Sequence, residues 1–247
     1  MERHIVNLAL MAVLGVFGAS GCSRDAGPAA ADHATTPSGW VAPPRIRAVE
    51  ATPSGLRFTG LAEPGARVVL RAADGAAAFA AAADDQGRFD LRMDPSPGDS
   101  LFIPEVQFGE SSAPGRERLL ILEGGQGPIV VLPVGGGARR LDPAPALASV
   151  DSDGQALVLS GVAAPNATVQ VTVRGASRQV GADASGRWSL MVPGGGAADI
   201  RVGTEDFAYP GAGAASSFGA QRSGLGWTAT WSTPGGAAQS IWLPDHG

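Results

Sequence analysis

The sequence predicts an all-β protein built as two β-sandwiches in tandem. Past residue 45, apolar and polar residues alternate over short runs such as "LRFTG", "ATVQVTV" and "RWSLMV", the period of strands whose successive side chains face opposite ways. The 247 residues include 36 Gly and 19 Pro, which cut those runs at the spacing of roughly ten residues typical of a sandwich. One stretch is also written twice: "GLAEPGARVVLRAADG" from Gly60 returns as "GVAAPNATVQVTVRG" from Gly161.

The chain opens "MERHIVNLALMAVLGVFGASGCSRD". A weakly basic start at Arg3 precedes an apolar run from Ile5 to Phe17, too short to span a bilayer and the length of a signal-peptide core. Small residues Gly18 to Gly21 then lead into Cys22. This resembles the lipobox of bacterial lipoproteins, Leu-Ala/Ser-Gly/Ala-Cys, with Ala19 where Leu is commonest. The resemblance implies that residues 1–21 are removed and that Cys22, the single cysteine, carries a diacylglycerol and an amide-linked fatty acid such as palmitate. Several acyl chains hold a membrane firmly where one does not. Ser23 matches the outer-membrane sorting pattern. The alternative is an ordinary signal peptide cut after Ser20, which leaves Cys22 as a free thiol; a lone cysteine forms no disulfide within the chain in either case. Residues 22–45, rich in Ala and Pro and without apolar periodicity, read as a flexible tether, with Trp40 near its end.

The duplication then frames the rest. Gly60, Pro64, Ala66 and Val68 correspond to Gly161, Pro165, Ala167 and Val169; Asp84, Gly87, Arg88, Phe89 and Leu91 correspond to Asp183, Gly186, Arg187, Trp188 and Leu190. Phe108 falls opposite Phe207, and Pro133 opposite Pro234. The expected units are 46–142 and 147–244, joined by the short linker 143–146, with seven or eight strands each. Asp-x-x-Gly before an aromatic strand is turn chemistry, since Asp binds its own backbone and Gly accepts positive φ. "Gly-x-Ala-x-Pro-Gly-Ala-x-Val" followed by "Ala-Asp-x-x-Gly-x-Phe/Trp-x-Leu" resembles the immunoglobulin-like repeats of bacterial surface proteins and adhesins, over the first half of each unit. A transthyretin-like sandwich shares the second motif and is the alternative fold.

Chemistry is harder to find. A net charge of −5 without a basic run argues against nucleic acid, which requires a positive patch. His4, His33 and His246 all lie outside the two units, so a Ser-His-Asp triad or His-ligated metal has no obvious source there. Ser223 in "QRSGLG" lacks the first glycine of a nucleophile elbow. Asp84, Asp85, Asp183 and Glu205 are carboxylates of expected turns. "DSDG" at Asp151–Gly154 admits a calcium reading but lacks the distal ligand spacing, and a turn is the alternative. Asn166 takes the turn position of Gly65. No cofactor, metal or catalytic residue is expected. Trp227 and Trp231 share one face of a strand, about 13 Å apart. Together with Trp242 they are candidate glycan contacts, or else they are core.

The functional expectation is therefore a non-enzymatic, membrane-anchored envelope lipoprotein serving as an interaction, spacer or adhesion module with an envelope protein or glycan partner. A glycan- or peptidoglycan-binding module is the alternative, and a carboxylate-based glycosidase the third reading.

Overall fold

A computed structural model describes residues 42–94, 97–213, 217–233 and 235–245. The signal peptide, Cys22, Trp40, the tether up to residue 41 and all three histidines lie outside the described residues.

Both halves are all-β, as the alternation requires, and each has ten strands where seven or eight were expected. The N-terminal half contains β1 (Arg45–Thr52), β2 (Gly55–Leu61), β3 (Arg67–Ala72), β4 (Ala78–Ala82), β5 (Arg88–Met93), β6 (Ser100–Phe108), β7 (Ser111–Pro114), β8 (Glu117–Ile121), β9 (Ile129–Pro133) and the two-residue β10 (Arg139–Arg140). The C-terminal half contains β11 (Leu147–Ser152), β12 (Ala156–Val162), β13 (Thr168–Val173), β14 (Ala176–Gly181), β15 (Arg187–Pro193), β16 (Ala198–Val202), β17 (Glu205–Tyr209), β18 (Gly219–Arg222), β19 (Gly226–Ser232) and β20 (Ala238–Pro244). The extra strands are short pieces, β7 and β10 above all, that a periodicity of two cannot signal.

The repeated motifs build the same joint twice. Gly60 sits opposite Phe89 on β5, and Gly161 opposite Trp188 on β15. In each case the aromatic ring lies across the glycine, so that a Cβ there would overlap the ring and the carbonyl oxygen of Arg45 or Ala146. The turn that delivers the aromatic is fixed by its aspartate: Asp84 Oδ1 accepts from the backbone N–H of Gln86 and Arg88, and Asp183 Oδ1 from those of Ser185 and Arg187. Its glycine, at φ 74° or 80°, offers its carbonyl to the N–H of Ala62 or Ala163 in the Pro-containing turn, at 2.8 and 2.7 Å. The two motifs are thus one interlocked corner. Asn166 adopts φ 60° where Gly65 adopts 73°, a turn position in both.

The halves part company after β5. Sheet A (β1-β2-β5) faces sheet B (β10-β9-β8-β6-β3-β4, with β7 on β6); sheet C (β15-β12-β11-β20-β19-β18) faces sheet D (β14-β13-β16-β17). The terminal ribbon β8-β9-β10 corresponds in chain order to β18-β19-β20, each made of two successive antiparallel pairings. Yet β8 joins β6 of sheet B, whereas β20 joins β11 of sheet C. The correspondence of Phe108 with Phe207 does not survive this divergence: Phe108 ends β6 before a hairpin turn, and Phe207 lies on β17 after one. Pro133 closes β9, while Pro234 is outside the described residues.

Three apolar cores result. Phe58, Leu70, Leu91, Phe102 and Leu119 pack between sheets A and B. Leu159, Val171, Trp188, Ile200 and Trp242 pack between C and D. The third joins the outer face of B, through Leu101, Leu120, Leu122, Val130 and Leu132, to the outer face of C, through Trp227, Ala229, Trp231, Ile241 and Leu243. The order of layers is A, B, C, D.

The interlocked corner sets an expectation for Gly161→Ala. It should cost about 2–3 kcal/mol of stability, because backbone and a buried indole both obstruct the methyl group. Gly65→Ala, with open space around its Cβ, should cost only about 1 kcal/mol, from its positive φ. Denaturant midpoints of the two variants check the order.

Candidate functional site

The region of the molecule with the densest unusual chemistry is the seam between sheets B and C. Strands β8 and β9 are apolar on both faces: Leu119, Ile121, Ile129 and Val131 enter the A–B core, while Leu120, Leu122, Val130 and Leu132 enter the seam. Strand β20 divides the same way, with Trp242 inward and Ile241 and Leu243 outward.

The three tryptophans proposed as glycan contacts are therefore not a platform. Trp227 and Trp231 do share a face, but each is 8% exposed and packed in the seam, and Trp242 is 1% exposed within the C–D core. Trp242 meets Tyr209 edge-on at 6.0 Å and donates its indole N–H to the carbonyl oxygen of Ser223 at 3.0 Å. The physical reason for the correction is that sheet C's outer face is covered by sheet B. Arg222 closes the rim, its guanidinium 5.2 Å from the Trp227 ring and held by both oxygens of Asp245 at 2.8 and 2.6 Å.

Polar groups pin the seam at its edges. Arg140 pairs with Asp142 and donates to the carbonyl oxygen of Pro244 at 2.8 Å, tying the last strand to the N-terminal half. Arg139 donates to the carbonyl oxygens of Ile46 and Arg47 at 2.5 and 3.1 Å. It thereby ties β10 to the start of β1, whereas in the C-terminal half β20 pairs with β11 further along, at Val150–Ser152. Burial holds its guanidinium below the usual arginine range.

Asp151, on β11, faces the seam. Its Oδ2 accepts from the N–H of Ala138 at 3.4 Å and from Ser149 Oγ at 3.2 Å. Its counterpart in the N-terminal half, Glu50, has Arg57 as cross-strand neighbour and ion-pair partner; Asp151 has Val158 there instead. Burial without that cation pushes its carboxyl up to about 7. The duplication makes the cause visible, since the acid is retained and its base replaced by an alkyl group.

Two clefts flank the seam. One of about 510 Å³ lies beneath β9 and β10 and is lined by Glu117, Arg139, Asp183, Arg187, Ser160 and Trp188. The other, of about 520 Å³, lies by Val49, Leu141, Arg222 and Trp227. Ser160 Oγ, Trp188 Nε1 and Glu117 Oε2 are buried without a partner among the described residues. A third, open hollow of about 1040 Å³ lies on sheet A and includes Arg47, Arg57, Arg88 and Arg92.

Among the other sequence candidates Asp84, Asp153 and Asp183 are turn residues, while Glu205, expected in a turn, opens β17. Asp153 Oδ1 accepts from the N–H groups of Gln155 and Ala156, both at 2.8 Å, so "DSDG" is a turn. Asp183, held down to about 2 chiefly by Ser185 Oγ with the Arg187 N–H next, is the turn aspartate described above. No cluster of three or more metal-type ligands occurs among the described residues. No helix among them is long and apolar enough to cross a membrane.

Residues 42–107, spanning β1 to β6, match a family model described as a bacterial Ig domain. No curated protein matches the chain. The fold and the match define an all-β protein with a bacterial Ig-like region at residues 42–107.

Two expectations follow from the seam. Trp231→Ala should cost about 3–5 kcal/mol and split a joint thermal transition into two, as calorimetry would register. The pH response of Asp151 has a defined sign. Its folded pKa is raised from 3.8 to about 7, so the folded chain binds the proton more tightly. Stability is then greatest on the acid side and is lost as pH climbs from about 4 to about 7. Asp151→Asn should flatten that fall and leave the protein about 2–4 kcal/mol more stable above pH 7, measured by denaturant titration across the window.

Proposed function

We propose that the protein is a non-enzymatic, lipid-anchored envelope module whose folded body serves as an interaction or spacer element for an envelope partner. The observation that carries this reading is the B–C seam. It spends two of the chain's five tryptophans, Trp227 and Trp231, on fixing one half to the other, which suits a body that must hold its form at the end of a tether. The lipobox-like "ASGC" and the tether of residues 22–45 supply the attachment, and Ser23 directs the reading toward the outer membrane.

The engagement of candidate carboxylates by their own turns favours the same reading. Asp84, Asp153 and Asp183 are engaged by their own turn backbones. Ser223 gives its carbonyl oxygen to Trp242. The glycan-binding alternative loses the support it drew from Trp227, Trp231 and Trp242, because indoles inside a core cannot stack on sugar rings.

The attachment is tested by Cys22→Ser. The parent chain should fractionate with membranes and incorporate labelled palmitate, and the variant should do neither. Unchanged membrane retention by the variant would remove the anchor from this account.

A further inference from the structure

The duplication lets one half serve as a control for the other, and it singles out the outer face of sheet A. Arg45, Arg47, Arg57, Arg88 and Arg92 all project from that face; all but the half-buried Arg57 are exposed. Four of them line the open hollow of about 1040 Å³. Within the described residues Arg57 is engaged by Asp90 and Glu50, and Arg88 by Asp84, while Arg45, Arg47 and Arg92 make no ion pair. A chain of net charge −5 thus gathers five arginines against Glu50, Asp84 and Asp90 on one sheet face, an excess of positive charge carried by Arg45, Arg47 and Arg92.

The fold does not require them. The registers that pair Ile46 with Gly60 and Arg57 with Arg92 in the N-terminal half pair Leu147 with Gly161 and Val158 with Met191 in the C-terminal half. Arg45, Arg47, Arg57 and Arg92 therefore stand where the C-terminal half has Ala146, Ala148, Val158 and Met191. Only Arg88, part of the turn motif, is kept as Arg187.

What meets this face differs between the halves. On sheet C, Ala148 and Ser160 are buried beside the cleft beneath β9 and β10, so that part of the face meets the element that precedes it in the chain, while Val162 and Met191 stay exposed. Small and apolar residues suit contact with folded protein. Residues 22–45, read as the tether, lead into the N-terminal half, and the chain enters through Arg45 at the margin of the arginine face. From Cys22 to Arg45 the chain can span at most about 83 Å, which keeps the body within reach of the surface to which an acylated Cys22 is fixed.

We infer that the arginine face of sheet A docks on an anionic lipid surface, its guanidinium groups taking headgroup phosphates. This rests on the lipid-anchored reading and adds an orientation to it. Guanidinium forks bind phosphate oxygens two at a time. Each basic residue near an anionic bilayer contributes about 1 kcal/mol, a contribution that salt screens.

The test separates docking from acylation. All strands and all three cores fall within the compact unit Ser38–Gly247, so that body, lacking Cys22, is purified and sedimented with vesicles. Phosphatidylglycerol-rich vesicles should retain it at low salt and release it at high salt, and phosphatidylcholine vesicles should not retain it. The triple variant Arg45→Ala, Arg47→Ala, Arg92→Met carries the residues that the C-terminal half already accommodates, so folding is expected to persist and circular dichroism checks it. Its partition onto the anionic vesicles should fall about 100-fold, while Arg178→Ala, on sheet D, changes nothing. Equal retention by both vesicle types, equal retention of parent and triple variant, or binding to a soluble polyanion without binding to vesicles would each overturn the assignment. None of these outcomes bears on palmitate incorporation at Cys22, which is read independently.

Discussion

Burial of the B–C seam is the constraint on which the rest of the structure depends. An immunoglobulin-like sandwich normally leaves the outer faces of its sheets to water, and alternating polar residues serve that purpose on most strands here. Strands β8 and β9 do not alternate: "RLLIL" and "IVVLP" are apolar on both faces, a pattern that only strands covered on both sides can carry. The outer residues of the ribbon have to be buried against something, and the equivalent ribbon of the other half supplies it. Trp227 and Trp231 are the bulk that fills the space. The stacking of four sheets, the tie from Arg139 to β1, the pairing of Arg140 and the environment of Asp151 all follow from that contact.

A second constraint operates inside each half and explains why two short motifs recur together. The glycine of the first is the floor on which the aromatic of the second lies, and the glycine of the second hydrogen-bonds the turn of the first. Neither motif is stable in this geometry without the other, so the pair survives duplication even where the intervening hairpin changes length. Substituting Trp for Phe at the aromatic position brings an indole N–H that no described residue accepts.

Duplication has not preserved everything. After β5 the same three-stranded ribbon attaches to opposite sheets in the two halves, so that an arginine side chain ties it to the start of β1 in one and a strand pairs with β11 in the other. Charge has diverged along with topology. The Glu50–Arg57 pair of one half has become Asp151 beside Val158 in the other, and an arginine face has become a small, apolar one. Part of the change tracks what each face meets, since Ala148 and Ser160 are buried beside β9 and β10 where Arg47 is exposed.

The sequence by itself determined the local matters: all-β character, the positions of turns, the equivalence of the two motifs and the shared face of Trp227 and Trp231. Each of these depends on interactions within a few residues or on the two-residue period of a strand. The same period says which residues share a face but not what covers it, and so the glycan reading of the tryptophans could not be decided from spacing. Only the tertiary structure assigned the ribbon to sheet B in one half and sheet C in the other, placed the tryptophans in a seam, and left Asp151 without a cation. Those outcomes turn on contacts between residues about a hundred positions apart, whose one local trace was the unbroken apolar runs of β8 and β9.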